Sequence, residues 1–542
     1  MSTSYETKTI EHLGLVATMF DELGVGELID QLIPQDFAQR QVTVGQAVKA
    51  MVLNGLGFAN RRLYLTPHFF QNKPTEHLFG QGITAEMLND DTLGKALDEL
   101  HAYGVSALYS VIAARAVTRL GLRPTVGHQD ITSFHTDGAY NSARPPDPDA
   151  RVVHITRGYS RDGKAELNQV ALELIHEHQA RLPVAMQVLD GNQNDTQTMC
   201  ASVATHIAQL RAVGIGMLVK DSAGYSDTAL QAHEAAGLTW ITRVPATLGA
   251  VKTLVDETDP TTLQPLAAGY RYRQVSSDYA GVPQRWLLIH SEAAMLRASQ
   301  TVTRQLLKTT EQEHKAFAKL CRQAFACEQD ATSALAAFQN DLKVLNVHEA
   351  RVVETAHYAR SGRPSQARAP HRISYHLRGL LAAPLSHYQQ CLMRAALFVL
   401  ATNELDADVV SDAEVLTLYK AQSISERGFR FLKDPMFLAA TLFLKKVERI
   451  MALLMVMTVC LLVYAALEHR IRTTLATRGV SVPDQKGSPT QKPTARWVFE
   501  LFLDVHLLSV ITNTTEVMTM NLKEELRMLL GLLGSAYQEA YP

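Results

Sequence analysis

Residues 450–467, IMALLMVMTVCLLVYAAL, are apolar except for Thr458 and are bracketed by Glu448-Arg449 and Glu468-His469. A run apolar on every face has two homes, a helix across a bilayer or a helix enclosed by protein. Its length is at the lower limit for a span. It also stands alone and follows directly on a polar, charged stretch, so an enclosed helix is the expectation and a membrane anchor the alternative. With 542 residues, 46% of them hydrophobic and 20% charged, the chain is long enough to build such a core within about two to four domains. A formal net charge of -2 gives no overall field for nucleic acid, so any such binding rests on local basic surfaces.

The five cysteines, Cys200, Cys321, Cys327, Cys391 and Cys460, are scattered without C-x-x-C spacing. They read as reduced thiols of a cytoplasmic protein with no zinc site. The start, MSTSYETKTIEHLG, has no apolar h-region, and no signal peptide is expected.

Residues 1–120 repeat apolar positions at helical spacing, with Asp90 or Asp91 as a candidate N-cap. They suit a small DNA-binding domain, with Arg61-Arg62 and Lys73 as phosphate contacts, or equally a dimerisation module. From 121 to 245 the pattern becomes strand-like. TVGHQDITSFHTDGAY alternates and ends in the turn pair Asp137-Gly138, and RVVHITRGYS, LNQVALELI and RLPVAMQVLDGN follow. These strands predict the first half of a mixed sheet. A helix from Asp195 then leads to the strand Ile215–Val219 and a parallel crossover, which puts Asp221 at a strand's carboxyl end, where sites of open α/β sheets lie.

Residues 246–385 read as an inserted subdomain: a hairpin, a long polar helical run from about Ser291 to Leu345, and a basic strand-like stretch with Arg351, Arg360, Arg363, Arg368 and Arg372. Residues 386–475 return to the sheet through CLMRAALFVLATNEL, then carry a charged helix and the apolar run. The new helix is expected to start at Asp434-Pro435. Residues 476–542 hold a mobile loop, 482–494, and a helical or mixed tail. Trp240, Trp286 and Trp497 are candidates to stack on an exposed base, although a buried tryptophan is the usual case.

In YKAQSISERGFRFLK, Tyr419, Gln422, Glu426, Arg430 and Lys433 fall within about 80° of arc on a helix. A carboxylate flanked on its own face by cations suits a metal-bound acid beside a phosphodiester. The plain alternative is a surface helix with a Glu426–Arg430 ion pair. Upstream, Asp130 lies inside the alternating strand, while Asp137 competes from its turn. Asp221 serves as a metal ligand or as a helix cap, and Ser226 and Asp227 are able to supply that cap instead. Three such acids can hold two divalent ions about 4 Å apart. Carboxylates favour Mg²⁺. No glycine-rich phosphate loop and no G-x-S-x-G elbow occurs in the chain.

The spacing Tyr419, Gln422, Glu426, Lys433 resembles the Y-x2-R-x3-E-x6-K signature of DDE transposases of the insertion-sequence-four superfamily. D-I-T-S-F at Asp130, G-Y-S-R-D-G-K at 158–164, G-N-Q-N-D at 191–195, K-D-S-A-G-Y-S around Asp221 and E-R-G-F-R-F-L-K-D-P at Glu426 are similar to its insertion sequence 1634 group. The resemblance implies a mixed α/β, ribonuclease-H-like core with a helical N-terminal domain and a large insertion before the last catalytic helix. About 200 residues do separate Asp221 from Glu426. It further implies a catalytic, metal-binding triad of Asp130, Asp221 and Glu426 with two Mg²⁺ or Mn²⁺ per site. DNA contacts would come from Tyr419, Gln422, Arg427, Arg430 and Lys433.

The activity implied is cleavage at terminal inverted repeats followed by 3′-hydroxyl strand transfer, on double-stranded DNA, by a homodimer in the cytoplasm of a bacterium and without a membrane. One departure stands out: the signature arginine is Gln422, which carries no charge. A catalytically inactive DNA-binding relative is therefore the alternative, and a nuclease that never joins strands is a third reading.

Overall fold

The structure, a computed structural model, describes residues 3–38, 40–58, 63–142, 152–160, 163–193, 195–359, 369–434, 444–512 and 515–542, the side chains of 195–203 and 260 apart. The chain forms two compact units: Met1–Arg243 with Ser277–Gln284 and Thr402–Pro542, and Val244–Ser276 with Arg285–Ala401.

In the first unit the N-terminal helices are α1 (Leu13–Glu22), α2 (Val25–Leu32), α3 (Val44–Leu56), α4 (Asp90–Tyr103) and α5 (Val105–Arg119). A capping box of Thr43 and Gln46 opens α3. Asn89, not Asp90 or Asp91, caps α4 by accepting from the Thr92 amide at 3.0 Å. The two aspartates occupy the first turn instead, where the helix dipole favours carboxylates.

Strands β1 (Val126–Thr136), β2 (Asn168–Glu177) and β3 (Pro183–Leu189) form an antiparallel meander. Helix α6 (Asp195–Val213) then crosses to β4 (Met217–Lys220), and α7 (Asp227–Ala235) to β5 (Thr239–Arg243). Because β4 pairs parallel with β1 and β5 with β4, the order is β3-β2-β1-β4-β5, the ribonuclease-H-like arrangement of three antiparallel and two parallel strands.

The hairpin expected at Asp137-Gly138 does not form, since β2 begins only at Asn168 and residues 152–160 contribute a single bridge, Thr156 to Gln169. Backbone approach explains this. A β-carbon on Gly191 would lie 2.0 Å from the Gln169 carbonyl oxygen, and one on Gly158 2.1 Å from that of Gly191. The Gln169 side-chain amide donates to the carbonyls of Tyr159 at 3.1 Å and Gly191 at 2.6 Å. Two glycine motifs thus hold the connection against β2 where a side chain would push it away.

Helices α8 (Asp412–Lys420), α9 (Ser423–Leu432) and α10 (Val447–Arg478) complete the centre of this unit. Of the start expected at Asp434-Pro435, Pro435 lies outside the described residues, and α10 itself begins at Val447. By length and composition α10 could cross a membrane, yet 94% of its apolar window is buried. It packs on α1, α3, α4, α5 and β3, so the N-terminal helices share its core and have none of their own. Arg449 donates twice to Asp98, at 2.8 and 2.7 Å, its guanidinium lying over Gly94, and Arg470 pairs with Glu22. The face a lipid anchor would present is covered by protein.

The loop 482–494, expected to be mobile, is a small hairpin of Val482–Pro483 with Pro489–Thr490. The Asp484 carboxylate closes it by accepting from the amides of Lys486 and Ser488, both at 2.8 Å. Strands His506–Ile511 and Thr515–Met520 join Ser4–Thr9 in a three-stranded sheet.

The second unit holds strands Leu397–Thr402, Gln284–Ser291, Tyr270–Ser277 and Gln264–Ala267 side by side, helices Glu292–Arg322 and Glu328–Asp341, and a long hairpin of Asn346–His357 with Arg372–Ala382. The carboxylate of Glu313 anchors the entry to that hairpin by accepting from the amides of Lys343, Val344 and Leu345 at 2.7, 3.2 and 2.9 Å. Only Leu397–Thr402 of the stretch expected as a returning strand is extended, because Leu385–Ala396 is helical. Arg351 and Arg372 lie on the hairpin, whereas Arg360, Arg363 and Arg368 are outside the described residues.

Candidate active site

The strand registers converge on one row. His128 of β1 stands opposite Val219 of β4, and Lys220 of β4 opposite Thr242 of β5. Carrying these registers forward, two residues on β1 and one on the other two, brings Asp130, Asp221 and Arg243 to one level at the ends of three neighbouring strands. In registered parallel strands residues at one level share a face.

Asp130 accepts from the Ile131 amide at 2.8 Å. Asp221, the first residue past β4, accepts from the Ala223 amide at 3.0 Å and so caps a short turn. Its carbonyl oxygen receives the Thr242 hydroxyl at 2.6 Å, and α7 takes its cap from Ser226. Beneath it the buried Lys220 donates to His233 at 2.9 Å. Burial and that lysine push His233 down to about 3.

The stretch 419–433 is not one continuous helix. It breaks at Ala421-Gln422 into α8 and α9, so Tyr419 belongs to a different helix from Glu426, Arg430 and Lys433. Glu426 is exposed in the first turn of α9, and among the described residues no ion pair joins it to Arg430. Tyr419 comes from α8 towards the row. Burial raises its phenol, Arg243 opposes the shift by charge and a hydrogen bond, and Asp221 and Glu426 add to it. One half-buried phenol therefore senses Asp221 and Arg243 of the row together with Glu426.

The α9 helix is fixed to β1 and β2 by side chains next to the acids. Gln422 donates through Nε2 to the carbonyl of Gln129 at 2.6 Å, and its Oε1 lies 3.3 Å from His128 Nδ1. The Ser425 hydroxyl donates to the His128 carbonyl at 3.2 Å and lies 3.2 Å from His176 Nδ1. Burial pushes His128 down to about 4, helped by His178 and opposed by the Gln422 bond. His176, wholly enclosed, is pushed to about 3 by burial and by His128. Gly428 faces His176 and Leu461, which leaves no room for a larger residue.

Other expected contacts are distributed elsewhere. Lys433 lies over the Phe134 ring, 5.8 Å from its centroid, at the far end of α9. Arg427 and Arg430 are exposed beside Arg181 and Arg472, and Glu468 pairs with those two at 3.9 and 2.7 Å. Burial and Arg181 hold the Arg427 guanidinium below its usual range. Lys73 pairs with Glu11 at 2.9 Å. Arg61-Arg62 lie outside the described residues. Trp240 and Trp286 are buried and present no face to a base, and Trp497 donates to the Pro483 carbonyl at 2.7 Å.

Sequence reading did not single out His128, His176, Ser425 or Arg243. The available signal was position: His128 two residues before Asp130 on the alternating strand, and Ser425 beside Glu426.

Among the described residues no three His, Cys, Asp or Glu side chains converge as a formed metal cluster. The donors themselves fit a hard divalent cation, since Asp130, Asp221 and Glu426 offer only carboxylate oxygens.

Residues 5–114 match a domain of unknown function (DUF4277), and residues 132–463 match the family described as the transposase DDE domain. The second match takes in Asp221 and Glu426 and begins two residues after Asp130. No curated protein matches the chain. Among solved structures, it is similar to the piggyBac transposase of a cryo-EM synaptic complex with hairpin DNA, at 9% identity and a TM-score of 0.36, over 92% of this chain and 82% of that one. The match to the transposase domain spans more than half of the 542 residues, and the chain belongs to the DDE transposase family.

Proposed function

We propose that this chain is the transposase of an insertion sequence, of the insertion-sequence-four superfamily and close to insertion sequence 1634. In this reading it binds the terminal inverted repeats of its element and cuts and rejoins DNA with Asp130, Asp221 and Glu426. The observation that carries the reading is the parallel register of β1 and β4, which ends at His128 opposite Val219 and, carried two residues on, brings Asp130 and Asp221 to one level, with the Glu426 helix bonded to β1 one and two residues before Asp130.

Asp130, Asp221 and Glu426 would hold two divalent cations, Mg²⁺ or Mn²⁺, which when bound supply activation of the attacking oxygen and charge relief for the leaving one. Everything else falls to the chain. The strands fix the two aspartates, so little reorganisation is needed when a phosphodiester arrives. Tyr419 stays protonated and directs a hydroxyl, with the Arg243 guanidinium, towards the phosphate. Water attacks phosphorus, and the bond to the transposon 3′ oxygen breaks and leaves a 3′-hydroxyl. That hydroxyl then attacks a target phosphodiester and displaces its 3′ oxygen. Arg427, Arg430 and Lys433 bind backbone phosphates along α9. Two ends call for two protomers, acting on DNA in the bacterial cytoplasm.

The test incubates the full chain with labelled DNA carrying the element's ends, in Mg²⁺ or Mn²⁺, beside Glu426→Gln. Metal-dependent cleavage at the end boundary, lost in the variant with end binding retained, is the expected result. Cleavage persisting in Glu426→Gln sinks the triad, and specific binding without cleavage by the wild type favours an inactive relative.

A further inference from the structure

The family signature has an arginine where this chain has Gln422, and a phosphate contact is what that position suggests. The surroundings of Gln422 argue otherwise. Its Nε2 donates to the Gln129 carbonyl at 2.6 Å, one residue past the last paired position of β1 and β4. A side-chain amide thus binds β1 where the partner strand stops. Its Oε1 lies 3.3 Å from His128 Nδ1, and an amide oxygen only accepts, so His128 carries its proton on Nδ1. His128 Nε2 then accepts from His178 Nδ1 at 2.9 Å. Three residues on, the Ser425 hydroxyl donates to the His128 carbonyl and accepts from His176 Nδ1, each at 3.2 Å.

We propose that Gln422, with His128 and Ser425, is a latch that holds α9 on β1 and sets the position of Glu426, making Gln422 a positioning residue and not a DNA contact. The site needs one donor and one acceptor in a single side chain, aimed at Gln129 O and His128 Nδ1–H. Glutamine supplies both. Arginine has donors only, so it would meet the His128 N–H head on unless His128 and His178 exchanged tautomers together. It would also add a cation beside His128, whose partner His178 already lies in the field of Arg181. In this chain Gln422→Arg disables the site rather than restoring it. What the latch does for catalysis rests on the proposed reading of Glu426; that it holds α9 does not.

Hydrogen–deuterium exchange of the full chain, without DNA or metal, tests the latch directly. In Gln422→Met the amides of Ser423–Leu432 should exchange about ten-fold faster or more, with α1, α3 and α4 unchanged. Ser425→Ala should do the same more weakly, and it decides the matter if Gln422→Met does not fold. Steady-state cleavage then separates positioning from binding. Both Gln422→Met and Gln422→Arg should lower kcat about ten-fold or more and leave KM for end DNA unchanged. Unchanged exchange in α9 overturns the latch, as does a raised KM with kcat intact, which would return Gln422 to the phosphate backbone. If the wild type cleaves no DNA, the transposase reading fails and the exchange result still decides the latch.

Discussion

A β-carbon on Gly428 would stand 2.8 Å from Nε2 of the buried His176 and 3.2 Å from the Leu461 side chain. Helix α9 therefore lies as close to β2 and α10 as a side chain of one hydrogen allows. Gly428→Ala gains about 1 kcal/mol of helix propensity but overpacks a filled site at a cost of about 1–3 kcal/mol. The net expectation is a lower melting temperature, by about 2 °C or more, and slower DNA cleavage as α9 lifts. Thermal melting beside single-turnover cleavage checks it, and a variant as stable and as active as wild type would show that α9 has room to spare.

The row of Asp130, Asp221 and Arg243 depends on β5 as well as on β4. Thr242 of β5 donates to the Asp221 carbonyl, which also receives the Gly224 amide at 3.2 Å. Thr242→Val keeps the shape and removes one of these two donors, a loss of about 1 kcal/mol. Slower cleavage with unchanged affinity for end DNA is expected, and Thr242→Ser should recover the rate. Equal rates for Val and Ser would mean that the hydroxyl does not position Asp221.

Patterning made much of this fold legible. The alternation around Asp130 and the short apolar run ending at Lys220 are local signals, and both gave strands. The apolar run at 450–467 foretold α10 but not its neighbours, because hydropathy says that a helix is enclosed and not by what. Thus the sharing of one core by α10 and the N-terminal helices was hidden. The break at Ala421-Gln422 was hidden too, since neither residue is a strong helix breaker and the cause is tertiary: Gln422 turns inward to Gln129 and His128. Gly428 carried no turn signal, and Gly191 read only as half of the turn pair Asp190-Gly191. Their reason is close approach to His176 and Gln169, distant in sequence.

Stability should fall on mild acidification. Burial pushes His12 down to about 4, and His176 and His233 to about 3. Unfolded histidine titrates near 6.5. Between that value and the folded ones the unfolded chain binds more protons, so unfolding free energy decreases as pH falls, by about 1.4 kcal/mol per pH unit for each such histidine. The melting temperature should hold above pH 7 and drop steadily from about pH 6.5 to 4. His12 is the cleanest probe: it bonds the Leu56 carbonyl at 2.8 Å, stacks on Phe499 and is far in sequence from Asp130, Asp221 and Glu426, while the charges of Glu11 and Lys73 beside it act in opposite directions. His12→Gln should shallow the acid slope by one histidine's share, and an unchanged slope would mean that His12 is protonated in the folded protein.

The cations beside α9 give a last expectation, in the salt dependence of DNA binding. Arg181, Arg427, Arg430 and Arg472 stand in one another's field, and Glu468 is the acid that pairs with Arg181 and Arg472. A cluster with more cations than anions is repulsive in the free protein and is relieved by backbone phosphates, which release counterions as they bind. Arg430, exposed on α9, should behave as a pure phosphate contact. Arg430→Gln is expected to weaken binding to all sequences alike and to reduce the slope of log K against log salt by about 1. Glu468→Gln removes the compensating charge, so it should lower the stability of the free chain and tighten DNA binding at low salt. Titrations over a range of salt concentrations measure both. A slope unchanged in Arg430→Gln, or weaker binding in Glu468→Gln, would move the DNA path away from this face of α9.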